Sequence, residues 1–360
     1  MRDGPPDLRA VSAGFALRGE FLRAEPLGAG HIHDTFVVSS QDGTVRRRWV
    51  LQRLNERVFT DVAALMENVE RVTLHVGAPT LVPARGGSAW LRDDRGAAWR
   101  AFVFVERATS RAGVESAAEA RVVARAFGAF QRALNDLPPP RLHEHLPGFH
   151  DGRVRWASLE AALAADPLNR AERATAEIAG VEKYSHLASF FAGLAARGVP
   201  PRPVHNDSKP DNLLRDAATG APLSVIDLDT VMPGQGLADF GDLARAASCR
   251  SPEDEPDLSR VGVDPELFAG LAVGFMEGAG DLLSPQERDA LVDAALALVW
   301  EQGVRFLADW LAGDAYYPVL RPDHNLVRCR AQLALLRSLE AQADSLRRLV
   351  ERAASGEDTA

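Results

Sequence analysis

Cysteine is scarce in this chain: Cys249 and Cys329 are the only two among 360 residues. Two thiols are too few for a disulfide framework or a thiolate metal cage, so the fold must come from packing. Long apolar runs are missing too. The longest, residues 294–300, has 7 residues, far below the roughly 20 that span a bilayer, so no membrane anchor is expected. The opening MRDGPPDLRA lacks the apolar core of a signal peptide, and a reducing cytoplasm is the expected location. An excess of positive charge is also absent. Lys plus Arg total 41 against 50 Asp plus Glu, a formal net charge of −9, and no segment forms the basic stripe that a nucleic-acid partner requires. No Gly-x-Ser-x-Gly elbow of a serine hydrolase occurs. The histidine groups, His31 with His33 and His143 with His145 and His150, lack the i, i+4 spacing and glutamate of a zinc protease, and read as turn or surface residues.

What is present is an ordinary globular composition, 46% apolar and 25% charged, on a chain long enough for two domains of about 150 residues each. No internal repeat is visible, and only residues 355–360 read as a frayed tail. The first 26 residues are mixed. Strand-like segments begin at Leu27-Gly28-Ala29-Gly30, and residues 35–38 and 49–51 then flank the turn Gln41-Asp42-Gly43 as an antiparallel hairpin. Val62, Leu65, Met66, Val69 and Val72 predict a helix over 61–75, capped by Thr60 or Asp61. Residues 88–91 and 99–105 read as strands around the turn Asp93-Asp94-Arg95-Gly96. Beyond Ser110 the pattern changes to helices over 117–137, 266–276, 286–311 and 324–353, interrupted by one small hairpin within 212–226. A β-rich lobe with one helix therefore precedes a mostly helical lobe.

The chemistry concentrates in Val204-His205-Asn206-Asp207-Ser208-Lys209-Pro210-Asp211-Asn212, followed by Val225-Ile226-Asp227-Leu228-Asp229. An Asp, an Asn five positions later and a second Asp twenty positions after the first form the set that phosphoryl transfer needs. One carboxylate takes the proton of an acceptor hydroxyl, while an amide oxygen and a carboxylate hold Mg²⁺, a hard cation that keeps several waters and needs no dedicated cage. Asp207, Asn212 and Asp227 are the candidates for those roles. Upstream, Gly28 and Gly30 would let the backbone approach phosphate oxygens, and Thr35 could donate to them.

These residues resemble the aminoglycoside phosphotransferase and choline kinase superfamily, whose signature is His-x-Asp-x-x-x-x-Asn followed by a hydrophobic-Ile-Asp segment. The resemblance runs over most of the chain. It implies an α+β, protein-kinase-like bilobal fold: a small antiparallel β-rich nucleotide-binding lobe over 1–107 and a large, mostly helical catalytic and acceptor-binding lobe over 108–360. It assigns Asp207 as base and Asn212 with Asp227 as Mg²⁺ ligands; Asp229 is an additional acid where many relatives carry another residue, and is expected behind the metal ligands or on a second metal ion. Asp239-Phe240-Gly241 spells the metal-binding tripeptide of protein kinases but lies 32 residues beyond Asp207, so Asp239 reads as a capping residue. Asp242 is expected to buttress the catalytic loop. The family's third-strand lysine is replaced by Gln52-Arg53, either of which could reach the phosphates, with Glu67 as the helix partner. The segment ending at Glu106 leads into the hinge, whose backbone would read adenine.

Within that superfamily the chain is most similar to N-acetylhexosamine 1-kinases. The resemblance rests on Gly30-His31-Ile32-His33-Asp34-Thr35, Leu51-Gln52-Arg53-Leu54-Asn55, the run from Ile226 to Gly234, and Arg305-Phe306-Leu307-Ala308-Asp309 with Gly313-Asp314-Ala315-Tyr316-Tyr317. It implies an ATP- and Mg²⁺-dependent kinase for the anomeric hydroxyl of a hexose or N-acetylhexosamine. A sugar site wants hydrogen-bonding groups and a flat aromatic face, which Arg305, Asp309, Tyr316 and Tyr317 supply, with His150 lining the same cavity. Two other readings stay open: a kinase for choline, homoserine or an aminoglycoside on the same fold, and a nucleotide binder without transfer activity.

Overall fold

The computed structural model describes residues 6–28 and 32–355, with side chains to Arg352. The chain divides into two compact units, Met1–Ala108 and Thr109–Ala360.

The first unit comprises α1 (Leu8–Ala13), β1 (Glu20–Pro26), β2 (Asp34–Asp42), β3 (Val45–Arg53), α2 (Val62–Val76), β4 (Leu81–Val82), β5 (Trp90–Arg92) and β6 (Ala98–Val103). Its sheet runs β1-β2-β3-β6-β4, with β5 also on β6, and the pairs are antiparallel. Gly43, at φ 59°, closes the β2–β3 hairpin, as two-residue hairpin turns require. Alternation along β3 sends Trp49 and Leu51 inward, where they pack with Phe15, Val38 and Trp99. Asp61 caps α2 by accepting from Ala64 N at 3.0 Å, and Leu65, Met66, Val69 and Val72 form its buried face. The strand expected from Leu27 onward instead ends at Pro26. β1 is an edge strand with most residues exposed, so it carries no apolar alternation to read.

The dipeptide β7 (Ala108–Thr109) stands at the junction. The second unit continues with α3 (Ala117–Asn135), α4 (Gly152–Ala165), α5 (Thr175–Lys183), α6 (Phe190–Ala196), β8 (Arg202–Val204), β9 (Leu213–Asp216), β10 (Pro222–Val225), β11 (Met232–Gly234), α7 (Leu237–Ala247), α8 (Pro265–Ala279), α9 (Pro285–Asp289), α10 (Leu291–Leu311) and α11 (His324–Ser355). The helix expected over 286–311 is therefore two, divided at Ala290. Phe240, Phe268, Phe275, Trp300 and Trp310 are essentially fully buried and fill the core. Around them, β8 pairs antiparallel with β11 and β9 with β10. These two short ribbons hold the loop between β8 and β9 and the one between β10 and β11.

Candidate active site

The loop after β8 has no ladder of its own, so side chains must set its conformation. Asp239, in the first turn of α7 and fully buried, accepts from His205 N at 3.0 Å and Asn206 N at 2.8 Å. Gln131 Nε2 donates to the same carboxylate at 2.8 Å. Asp239, and not Asp242 as expected, is therefore the acid that buttresses this loop. α7 starts at Leu237, which turns Asp239 toward the loop, while Asp242 pairs with Arg245 one turn later at 2.8 Å. Asn206 adopts the left-handed region at φ 63°, which Asn tolerates better than most residues, and its Nδ2 donates to Thr230 O at 2.9 Å. His205 Nδ1 accepts from Asp207 N at 3.2 Å and Nε2 donates to Ile226 O at 2.9 Å. That pattern requires the neutral Nε2–H tautomer, and it ties the backbone beside Asp207 to the backbone just before Asp227.

Asp207 Oδ2 accepts from both Lys209 Nζ and Asn212 Nδ2 at 2.8 Å. Oδ1 makes no hydrogen bond among the described residues. Desolvation would raise this carboxyl, but the Lys209 ammonium outweighs it, with help from Asn212, and lowers it to about 2. Asp207 is thus ionised throughout the neutral range. The sequence reading passed over Lys209; the signal was its place two residues after Asp207, since extended backbone puts i and i+2 on one side. Asn212 Nδ2 also donates to Asp207 O at 2.8 Å, leaving its amide oxygen unbonded among the described residues.

Asp227 is held in the left-handed region at φ 62° and makes no hydrogen bond there either. Solvent reaches this residue, yet the protein around it desolvates its carboxyl, and the charges of Asp229 and Asp207 push it up further, to about 6. Asp229 itself is 2% exposed, and its backbone carbonyl accepts from His145 Nε2 at 2.6 Å. An unspent amide oxygen and a carboxylate in surplus negative charge are the donor set of Mg²⁺, so the residues fit that ion. Among the described residues no group of three or more His, Cys, Asp or Glu forms a metal cage.

In the first unit Gly28 has φ 65° with open space where a Cβ would stand; Gly30 and His31 lie outside the described residues. Thr35, Gln52 and Arg100 are register neighbours across β2, β3 and β6. Gln52 Nε2 donates to Thr35 Oγ1 at 3.1 Å, and Arg100 Nε donates to Gln52 Oε1 at 2.9 Å. Arg53 instead ion-pairs with Asp34, and Glu67 is an exposed residue of α2. Met66, beside Glu67 on α2, is buried and has its Sδ 4.0 Å from Arg100 Nη1. Arg100, 2% exposed within the otherwise apolar β6, is the cation beside Gln52 that the sequence reading missed. The Glu106 side chain pairs with Arg48, whose Nε is 3.0 Å away. His33 is buried and accepts from Asn55 N at 3.0 Å, so it is a packed structural residue and not a surface one.

The residues expected at the acceptor divide into two sets. Arg305 lies over the rings of Phe149 and Tyr317, 5.5 and 5.6 Å from their centroids, and donates to Gln302 Oε1 at 3.1 Å. Tyr316 and Tyr317 meet edge to face, and Tyr316 is 47% exposed. Asp309 is corrected to a structural role. Its carboxylate accepts from Ala315 N, Tyr316 N and Tyr317 N at 2.8–3.0 Å and from Asn325 Nδ2 at 2.9 Å, leaving no capacity for a ligand. His150 borders a cavity together with Phe149, Asp151 and Asn206, but its Nδ1 lies 3.0 Å from Glu301 Oε1 and its Nε2 2.9 Å from Asn206 O, so both ring nitrogens are occupied within the protein.

The fold recurs in solved structures. An aminoglycoside phosphotransferase from Alicyclobacillus acidocaldarius superposes with a TM-score of 0.61 at 14% identity, covering 97% of this chain and 98% of that one. A microcompartment-associated aminopropanol kinase gives 0.56 at 16% identity over 94% and 97%. A spectinomycin phosphotransferase in complex with ADP and spectinomycin gives 0.54 at 11% identity over 89% and 94%. The architecture is thus the α+β, kinase-like fold of those enzymes. Residues 23–272, which include Asp207, Asn212 and Asp227, match the phosphotransferase enzyme family, and the chain belongs to that family.

Proposed function

We propose that the protein is a small-molecule kinase that moves the γ-phosphoryl group of ATP onto the anomeric hydroxyl of a hexose or N-acetylhexosamine. The observation that carries transfer is the Asp207 carboxylate: one oxygen is anchored by Lys209 and Asn212, and the other is unspent. Asp207 Oδ1 orients the sugar hydroxyl and takes its proton as the oxygen attacks phosphorus in line, with no phospho-enzyme. Asn212 and Asp227 would hold Mg²⁺, whose contribution is charge neutralisation on the phosphates. Lys209 adds positive charge beside the base. In the first unit Gly28, Thr35 and the Gln52–Arg100 pair are the candidate phosphate contacts, with the backbone around Glu106 for adenine.

The sugar assignment draws support from charge. Arg155 and Arg305 both lie over the Phe149 ring, and Glu301, which pairs with His150, is 3.9 Å from Arg155 Nε. Two guanidinia disfavour a cationic acceptor such as choline or kanamycin and suit a neutral polyol with aromatic faces at hand. The test is ADP release from Mg·ATP over free hexoses, N-acetylhexosamines, choline, homoserine and kanamycin, with the product's phosphate position read by NMR. Turnover of a hexose or an N-acetylhexosamine giving the 1-phosphate is expected. Turnover confined to a cationic acceptor would overturn the sugar reading, and thermal stabilisation by ATP with a silent panel would overturn transfer itself.

A further inference from the structure

The peptide that joins Asn206 to Asp207 is gripped at both ends by imidazoles. Its N–H donates to His205 Nδ1 at 3.2 Å, and its carbonyl lies 2.9 Å from His150 Nε2. His205 must be the neutral tautomer because it accepts there. His150 faces the opposite demand, since its two partners, a backbone carbonyl and the Glu301 carboxylate at 3.0 Å, are both acceptors. Only the imidazolium carries protons on both nitrogens, so this arrangement selects the charged form. The residue it holds is one that needs holding, because Asn206 sits in the left-handed region at φ 63°, a conformation that persists only where its surroundings over-determine it.

We propose that His150 is a positioning residue: by bridging Glu301 to the Asn206 carbonyl, it fixes the orientation of the peptide that carries the Asp207 base. The inference rests on Asp207 being the base of the transfer proposed above. The charged groups around the bridge are Glu301 and Arg305 of α10, Arg155 of α4, whose Nε is 3.9 Å from Glu301, and Asp242 of α7. Glu144, Asp151 and Arg153 border the adjoining cavity. Burial by itself would lower the imidazole, but the Glu301 carboxylate raises it above its ordinary value. The sign follows: the bridge is complete at low pH and is lost as pH rises through the His150 value, giving kcat an alkaline limb.

The test uses the full chain with Mg·ATP and two acceptors, water (basal hydrolysis) and N-acetylglucosamine, together with ¹⁵N spectra of the imidazoles. His150→Gln should lower kcat about 10- to 100-fold for both acceptors, the scale of a misplaced reacting group, while KM for ATP changes less than about twofold. Glu301→Gln should shift the alkaline limb to lower pH, and the spectrum should show His150 protonated on both nitrogens at neutral pH. His150→Gln/Glu301→Gln keeps a neutral amide pair in place of the charged one, so a folded protein is available should the single variant melt. The proposal is overturned by wild-type kcat in that folded double variant, by a loss confined to KM for ATP, by superimposable wild-type and Glu301→Gln profiles, or by one unprotonated ring nitrogen. A wild type that hydrolyses ATP yet leaves N-acetylglucosamine and every other sugar of the panel untouched would end the sugar reading while leaving the hydrolysis comparison intact.

Discussion

Asp207 and Asp227 are two carboxylates of one region pushed in opposite directions, the first to about 2 and the second to about 6. The cause is local: Lys209 lowers the first, while desolvation, and then the charges of Asp229 and Asp207, raise the second. Asp207→Asn should lower kcat by roughly 10²- to 10⁴-fold, the usual share of a general base, with little change in Tm. Asp227 must be ionised to bind a cation, so Mg²⁺ affinity measured by calorimetry on the nucleotide-free protein should weaken as pH falls below about 6, by up to tenfold per pH unit. Asp227→Asn should abolish that pH dependence. It should also raise the Tm of the metal-free protein at neutral pH, because a repelled charge is removed. Asp239 answers for the loop itself. Replacing it with Ala strands two backbone N–H groups and Gln131, and should cost about 3 kcal/mol or more in urea unfolding.

At the scale of elements, the closest packing is between α3 and α8, and glycine makes it possible. A Cβ on Gly270, Gly274 or Gly278 would run into the carbonyl oxygens of Ala117, Arg121 and Arg125, and one on Gly128 into that of Phe275. Residues four apart share a helix face, so the three α8 glycines form one stripe along which backbone meets backbone. Gly274→Ala should destabilise the second unit by at least about 2 kcal/mol, read from the urea midpoint, because a carbonyl cannot step aside as a side chain can. The helices that carried one clean apolar face, α2, α3 and α11, were legible in the sequence to within a few residues. α4 was not. It buries only Gly152 and Leu159, so it shows no periodicity, and nothing in the sequence ties His150, just before its cap, to Glu301.

For the whole molecule, binding of a ligand to the native state alone raises stability by mass action. Mg·ATP at about 100 times its Kd should therefore add about 2.7 kcal/mol, and this gain should fall when EDTA is present with the nucleotide. No helix among the described residues is long and apolar enough to cross a membrane, in keeping with the longest apolar run of 7 residues.

The sequence by itself determined the order of chemistry-bearing residues and the character of the two units. Asp207, Asn212 and Asp227 stand out in the sequence because their atom types, in that order, are those the proposed phosphoryl transfer would use. Only the tertiary structure decided which polar residues serve the protein and which are free for a ligand. Asp309, Asp239 and His150 look in sequence like any other acid or histidine, yet their hydrogen-bonding capacity is spent on backbone and side chains up to 151 positions away. Gln52 is met by Arg100, 48 positions away, through strand register. A residue's type states how many bonds it can make; the partners that use them up come from distant segments, and packing alone brings those together.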